Sequence, residues 1–519
     1  MSKRAFIRYP FLFALGLIFL TGCTVGPDYQ QPSVPETVDF KEAGNWKKAE
    51  PRDEISKGNW YAIFHDKKLD ELEAEAQVSS QTLRAAIARV SEARASAREA
   101  ESDFFPSLDF SGTGSRQRTS PNNGQVVAQS GGKSSPYTFN SATVVPFDLS
   151  YEVDLWGQVR RAFEGAGDLA QASLADYENV LLSLRADVAA NYFALRTADA
   201  QIDVQRRTIQ SYKENLDLTN SRFKGGISTQ LDVEQATATL ASAQAQLASL
   251  DQSRAQLEHA LAVLLGRPPA SFSLPFHPLD LDPPPAIPPG LPSDLLERRP
   301  DVAAAERRVA AQNAQIGVAI AAYFPVVHLT GQTGFDSGDL GLLFNWQSRI
   351  WSYGPSIQFP IFEGGKISAN IKQQRAAYEE NVANYREQVL VAFQNVEDSL
   401  SSLRYLAQQS DAENRAFEAY KNALQLTNAR YTTGLVSYFD VIQAQGLALN
   451  AEQLAVQIQG NRMGTTVQLI KALGGGWADS MVFTPNHGDH VASPSKAPTV
   501  LTPDDATAHP EGNLPVAHP

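Results

Sequence analysis

Asn220-Ser221-Arg222-Phe223-Lys224-Gly225-Gly226 comes back roughly two hundred residues later as Asn428-Ala429-Arg430-Tyr431-Thr432-Thr433-Gly434. Beyond each copy, Leu231-Asp232-Val233-Glu234-Gln235-Ala236 answers to Phe439-Asp440-Val441-Ile442-Gln443-Ala444. Ahead of each, Phe104-Phe105-Pro106 followed by Phe110-Ser111-Gly112 answers to Tyr323-Phe324-Pro325 followed by Leu329-Thr330-Gly331. The elements keep the same order in both copies, and the Gly and Pro punctuation repeats with them. Chance likeness between two helix-rich segments does not reproduce that punctuation. The chain is written twice.

Each copy holds one very long helical stretch. Residues 168 to 224 contain neither Gly nor Pro, and residues 366 to 433 contain none either. Both stretches are rich in Ala, Leu, Gln, Glu and Arg, which favour helix. At 1.5 Å per residue the second predicts a helix of about 100 Å. That length is foreign to a compact domain and points to a coiled coil, because the stretch is too polar to cross a bilayer. A second helix is expected after each tip glycine, over 227 to 265 and 435 to about 473. The apolar residues fall at spacings of three and four, as in Leu174, Tyr177, Leu181, Leu184, Val188, Tyr192 and Leu195. Ile371, Tyr378, Tyr385, Val389, Phe393, Val396 and Leu400 do the same, with missed turns. Both are seams between helices.

Ahead of each long helix lies a pair of alternating segments. Phe147, Leu149, Tyr151, Val153 and Leu155 interleave with Asp148, Ser150, Glu152 and Asp154. Trp351, Tyr353, Ile357, Phe359 and Ile361 interleave with Ser352, Gly354, Ser356 and Gln358. Leu108 and Phe110, then Val327, Leu329 and Phe335, give weaker partners. Period two predicts strands with one apolar and one polar face, of a length that suits a tilted membrane strand. Trp156, Trp351 and Tyr353 are candidates for an interfacial girdle. Residues 120 to 135 and 336 to 347 read as exposed loops. Four strands cannot close a membrane barrel, so such a chain must share its barrel with copies of itself.

The 519-residue chain carries a net charge of −13, which disfavours nucleic acid as a partner. It opens with Lys3, Arg4 and Arg8, then an apolar run from Phe11 to Leu20, the pattern of a signal peptide. The run ends Leu20-Thr21-Gly22-Cys23, and Cys23 is the only cysteine. This resembles a bacterial lipobox, in which the cysteine is acylated and becomes the first mature residue; losing the leader takes the charge from −13 to −16. Several acyl tails anchor a protein stably. Thr24, not Asp, follows the cysteine, which implies sorting to the outer membrane. No Walker-type loop and no GxSxG elbow occurs, and the eight His are scattered, so no catalytic residues are assigned. His487 and His490 lie in a Pro- and Ala-rich tail expected to be disordered and are not assigned a metal. No cofactor is expected beyond the covalent lipid on Cys23.

The sequence resembles the outer-membrane factors of the TolC family, in their lipidated, OprM/NodT-like branch. The resemblance rests on Gly22-Cys23-Thr24-Val25-Gly26-Pro27-Asp28-Tyr29, on Leu295-Leu296-Glu297-Arg298-Arg299-Pro300-Asp301-Val302, and on Arg430-Tyr431-Thr432-Thr433-Gly434 with Tyr438 and Val441. It implies an α+β membrane protein: a homotrimer in which duplicated helical hairpins form an α-barrel and four strands per chain enter a shared twelve-stranded outer-membrane β-barrel. The implied layout is a signal peptide over 1–22, a lipid-anchored equatorial segment over 23–78 and a first repeat over 79–267. A Pro-rich equatorial link over 268–292, a second repeat over 293–475 and a tail over 476–519 follow. The strands are expected at about 107–118, 143–155, 326–335 and 351–361, and the hairpins at 157–265 and 365–473. The resemblance further implies a passive exit duct for small molecules in a tripartite efflux pump. Its partners would be a periplasmic membrane-fusion adaptor, an inner-membrane transporter of resistance-nodulation-division type and outer-membrane lipid. Arg222, Phe223, Gly226, Arg430, Tyr431 and Gly434 become the tip surface that meets the adaptor. Asp232 and Asp440 become the periplasmic gate, where three copies of a carboxylate would form an anionic ring. Asp440 also reads as a helix N-cap or an acid in the first helical turn, favoured by the helix dipole. Two alternatives remain open: the outer-membrane component of a type I protein secretion system, and a periplasmic coiled-coil lipoprotein without a pore. The second accounts for the helices and Cys23, but not for the four alternating segments.

Overall fold

The computed structural model describes residues 24–34, 41, 59–118, 138–280, 282–285, 287 and 299–475. Cys23 and its leader, the 120–135 loop, part of the Pro-rich link and the tail beyond 475 lie outside the described residues. Both repeats are built in one order: helix, two strands, a long helix, a shorter helix. α1 (Lys67–Ser79) precedes the first repeat, which runs through α2 (Gln81–Ser102), β1 (Ser107–Arg118), β2 (Thr138–Val153), α3 (Gln158–Lys224) and α4 (Gln230–Leu264). The second runs through α5 (Pro300–Ala321), β3 (Val326–Ser337), β4 (Arg349–Gln358), α6 (Lys366–Thr432) and α7 (Tyr438–Ala472). The hairpins are equal in length, since α3 and α6 hold 67 residues each and α4 and α7 hold 35 each.

α3 starts at Gln158, next to the hairpin start expected at 157, and includes Gly165. A Cβ there would lie 3.2 Å from the Ala311 carbonyl and 3.4 Å from the Ala314 Cβ, so glycine lets α3 approach α5 closely. Two strand boundaries differ from the sequence reading. β2 starts at Thr138, ahead of the expected 143. β4 ends at Gln358, short of Ile361, because Pro360 has no N–H with which to continue a ladder.

The four strands form one antiparallel sheet in the order β1-β2-β3-β4. Register converts four weak alternations into two clean faces. Leu108, Leu149, Gly331 and Tyr353 fall in one cross-strand row, as do Tyr151, Leu329 and Pro355, and Val153, Val327 and Ile357. The opposite face carries Asp109, Asp148, Gln332 and Ser352, then Ser107, Ser150, Thr330 and Gly354. The apolar face is open: Leu108, Phe110, Phe147, Leu329, Trp351, Tyr353 and Ile357 are all exposed. Trp351 and Tyr353 stack with ring centres 5.5 Å apart. Trp156 is packed where sheet meets helix, stacked on Phe324 and donating to the Pro325 carbonyl at 2.8 Å. No helix among the described residues is long and apolar enough to cross a membrane.

The main core lies where hairpin one meets α1 and the segment before it. Trp60, Tyr61, Leu69 and Leu72 pack there with Leu184, Val188, Tyr192, Leu195, Leu261 and Ile470. A second cluster joins Val302 and Val309 of α5 to Tyr385, Val389, Val396 and Leu400 of α6. These α6 residues belong to the seam read from the sequence. The first half of the Pro-rich link is clamped to hairpin one by a buried charge network. Asp199 is fully buried and accepts from Arg196 Nη1 at 2.9 Å, Arg254 Nε at 2.6 Å and the His277 N–H at 3.1 Å. Arg254 Nη2 also donates to the Leu274 carbonyl, and Glu258 accepts from the Leu274 N–H.

Residues 24–34 run as a strap from the sheet–helix junction down to α6. Val25 N–H donates to the Trp156 carbonyl at 3.0 Å, Tyr29 Oη to Glu306, Gln31 Nε2 to Tyr385 Oη, and Arg386 Nε to the Ser33 carbonyl. Burial and the Glu306 bond push the Tyr29 hydroxyl pKa well up.

Glu73 of α1 is buried in the main core, and neither carboxyl oxygen has a hydrogen-bond partner among the described residues. Burial pushes its pKa up to about 9; nearby Arg185 opposes the shift and Asp70 adds to it. A raised folded-state pKa means stability is fully present below the ordinary glutamate value and is lost as pH rises toward 9. Glu73→Gln keeps the shape and removes the titration. We expect it to stabilise the fold at pH 8 by on the order of 3–5 kcal/mol, seen as a raised melting temperature, and to leave pH 4 unchanged. A pH-independent difference in thermal unfolding would refute this.

Candidate functional site

The two hairpin tips hold most of the residues that the sequence singled out, and their turns are near copies. Gly226 N–H bonds to the Phe223 carbonyl at 3.0 Å and Ile227 N–H to the Arg222 carbonyl at 2.8 Å. At the second tip, Gly434 N–H bonds to the Tyr431 carbonyl at 3.0 Å and Leu435 N–H to the Arg430 carbonyl at 2.9 Å. Gly226 has φ +75° and Gly434 φ +78°, a backbone region that favours glycine. Gly225 and Thr433, one residue earlier, sit at φ −81° and −88°. This is why the repeat keeps only the second glycine.

Asp232 and Asp440 are not N-caps. The N-caps are Thr229 and Ser437, and each Asp closes a capping box as the third helical residue. Asp232 Oδ2 accepts from the Thr229 N–H at 2.9 Å, and Asp440 Oδ2 from the Ser437 N–H at 2.9 Å. The backbone bond from Thr229 is the largest cause holding the Asp232 carboxyl below its ordinary value. The Ser437 hydroxyl is the largest cause at Asp440. Serine or threonine three residues ahead of an acid was the legible signal for these boxes.

Arg222 does more than end its own helix. Its guanidinium crosses to hairpin two and lies 4.3 Å from the centre of the Tyr431 ring. Nη1 donates to the Tyr431 carbonyl and Nη2 to the Thr432 carbonyl, each at 3.2 Å. It thus caps the C-terminus of α6, where carbonyls lack helical partners and the dipole favours a cation. Tyr431 is buried beneath it and packs on Tyr438, Val441 and Ala236. Burial pushes the Tyr438 hydroxyl pKa up to about 12, with further push from Tyr431, Tyr212 and Asp232. Phe223 and Arg430, by contrast, are exposed. Sequence reading missed the reach of Arg222, because the two tips touch across a long sequence separation. Cys23 lies outside the described residues. Thr24, which follows it, is in tight contact with Gly157 at the sheet–helix junction.

All four long helices line a concavity of about 850 Å³ above the tips. Thr197, Gln201, Ser253, Gln409, Gln457 and Asn461 contribute to it, and no charged side chain does. No group of three or more His, Cys, Asp or Glu among the described residues could hold a metal.

A sheet apolar on one face and polar on the other, set on long paired hairpins, fits an outer-membrane channel. The family model described as "Outer membrane efflux protein" matches residues 72–267 and 291–475. A toluene efflux pump outer membrane protein of Pseudomonas putida, TtgC, is 32% identical over 466 residues, covering 89% of this chain and 95% of the relative. A cation efflux system protein of Escherichia coli, CusC, is 31% identical over 471 residues, covering 90% and 98%. The solved outer-membrane channel OprN superposes with a TM-score of 0.79 at 30% identity, covering 88% of this chain and all of that one. The chain belongs to the outer membrane efflux protein family, the TolC-type channels. It is an efflux channel of the outer membrane that extends into the periplasm, and its family is one of transport channels rather than enzymes.

Arg222→Ala should release the end of α6. We expect amide exchange across residues 428–436 to accelerate about tenfold, with protection around Asp199 unchanged; equal protection at the tip would remove the clasp. The carboxyls of Asp232 and Asp440 are held low, so their contribution is present above the ordinary aspartate pKa and is lost as pH falls through the lowered value. The same exchange measurement should therefore find the tips intact at neutral pH and loosened only below about pH 4.

Proposed function

We propose that three copies of this chain assemble into the passive exit duct of a tripartite efflux pump. The observation that carries this reading is an asymmetry between equal helices. α3 buries 24 residues and its counterpart α6 only 10; α7 buries 13 and α4 only 4. α4 and α6 are therefore the open edges of the helical layer, as β1 and β4 are of the sheet. In hydrocarbon an unpaired strand edge is not tolerated, so the sheet must close on copies of itself. Two chains would supply eight strands, a barrel whose interior side chains fill. Three chains supply twelve, the count favoured by kinship with trimeric channels, with α6 of one chain set against α4 of the next.

In this duct the polar sheet face lines the barrel and the uncharged concavity becomes a stretch of tunnel wall. A neutral wall suits a conduit that holds neither cations nor anions. Relatives named for toluene and for cations support export of small molecules. A periplasmic adaptor meets the tips at Arg222, Phe223, Gly226, Arg430, Tyr431 and Gly434. An inner-membrane transporter of resistance-nodulation-division type supplies the energy. Cys23 carries the lipid anchor, and Thr24 at the sheet–helix junction supports its emergence at membrane level. Asp232 and Asp440 act twice, as capping-box acids and as the anionic gate ring.

The duct is tested in planar bilayers, with a heat-modifiable trimer as the biochemical check. Absence of both single-channel conductance and trimer would overturn it. Asp232→Asn with Asp440→Asn keeps an acceptor for the capping bonds and removes the charge. Block by multivalent cations should then weaken several-fold; unchanged block would leave these residues as caps alone. Cys23→Ser should abolish incorporation of labelled fatty acid, and retained label would refute the anchor.

A further inference from the structure

Within one chain, hairpin one holds hairpin two through a defined set of contacts. At the tip, Arg222 lies on the Tyr431 ring and donates to the carbonyls of Tyr431 and Thr432. Higher up, Arg207 Nη2 of α3 pairs with Glu452 of α7 at 2.8 Å. Hairpin two is built as a copy of hairpin one, with equal helix lengths, the same turn hydrogen bonds and the same capping boxes. Each donor in hairpin one has a like residue at the matching position of hairpin two: Arg430 matches Arg222, and Arg415 matches Arg207. Among the described residues nothing receives the Arg430 side chain. Its side chain is exposed and has no hydrogen bond, ion pair or ring contact among the described residues.

The receiving surface is present, but it belongs to hairpin one. Phe223 matches Tyr431 and Lys224 matches Thr432. Whereas Tyr431 is 8% exposed under Arg222, Phe223 is 44% exposed with no ring partner among the described residues. Its carbonyl makes the same turn bond as that of Tyr431 and keeps a second lone pair free of that bond. A donor without an acceptor and an acceptor without a donor sit at matching places on the two hairpins. In a closed ring of six like hairpins, each hairpin stands to the next as one stands to two.

We propose that Arg430 of one protomer clasps the next protomer's tip. Its guanidinium lies on the partner's Phe223 ring and donates to the Phe223 and Lys224 carbonyls there. The proposal rests on the trimer of the preceding section. Three clasps within chains, made by Arg222, then alternate with three between chains, made by Arg430, around the aperture. The two kinds are not equally strong. The match for Glu452 is Gln244, so an ion pair within the chain becomes, between chains, a bond from Arg415 to a neutral amide. Hydrogen bonds that lose one of their charges are weaker. The seams between protomers are therefore the softer ones, and the aperture dilates along them.

The test uses the full lipidated chain, in which acylation leaves Cys23 without a free thiol. Arg430→Cys is combined with Phe223→Cys, and a short bismaleimide is added to the assembled protein. Covalent dimers and trimers on a denaturing gel are expected. Arg222→Cys with Tyr431→Cys, the control, should cross-link within each chain and give no ladder. If the first pair remains a non-covalent trimer whose chains run as monomers after cross-linking, the clasp is overturned while the trimer stands. If the unsubstituted chain forms no trimer, the assembly falls and the clasp with it. A second measurement avoids cysteines. Arg430→Ala and Phe223→Ala should each raise resting conductance about two- to five-fold, and the double variant should do no more than either. Fully additive effects would overturn the contact even with the trimer intact.

Discussion

In hydrocarbon a backbone N–H or C=O without a partner costs several kcal/mol, and water is not there to relieve it. The sheet of this chain has two open edges, along β1 and β4, and an exposed apolar face. Closure on copies of the same chain relieves both edges at once. The helices obey the same requirement by a different force. α4 and α6 leave apolar side chains such as Leu231, Leu390 and Leu426 in the open, where burial would contribute roughly 1.5–3 kcal/mol for each side chain fully covered. In the proposed trimer, the rotation that pairs β4 with a neighbouring β1 is the one that sets α6 against a neighbouring α4.

Duplication makes that rotation nearly redundant with the chain's own geometry. In the proposed ring, the contact from hairpin one to hairpin two is the template for the contact from hairpin two to the next chain. Ring closure therefore needs no new kind of interface, only reuse of the first. The places where the copies differ then acquire meaning: Thr433 for Gly225 is neutral, because both positions have negative φ. Gln244 against Glu452 is not neutral, because it changes a charge.

Much of this was legible in the sequence, and the reasons are local. Gly and Pro mark the tips and strand entries, the 3.6-residue spacing marks the α6 seam, and period two marks β2 and β4. These signals lie within a few residues of the structure they predict. Register was not legible: that Leu108, Leu149, Gly331 and Tyr353 share a row depends on bulges near Phe110 and between Val144 and Phe147. Nor was the clamp on the Pro-rich link, since Asp199, Arg254 and His277 meet only after hairpin one folds back on itself. Arg222 could be read as a cap for its own helix. Its actual partners lie on the other hairpin, and no local pattern announces that.

The distribution of these interactions supports placing the proposed valve at the tips. Around the main core, Tyr192, Leu195, Leu261 and their neighbours are packed beside the fully buried Asp199, which bonds to two arginines and a backbone N–H. Breaking such a buried charge network costs about 3–5 kcal/mol, and the apolar packing adds to it. The tip has a core of four buried residues, Ala236, Tyr431, Tyr438 and Val441, and one guanidinium holding the end of α6. Contacts that face water on one side contribute less each, typically below about 1 kcal/mol. A 67-residue helix held firmly at its middle and lightly at its end moves at its end. In the proposed duct, opening would therefore rearrange a few side chains at the tips while the clamp around Asp199 stays as it is.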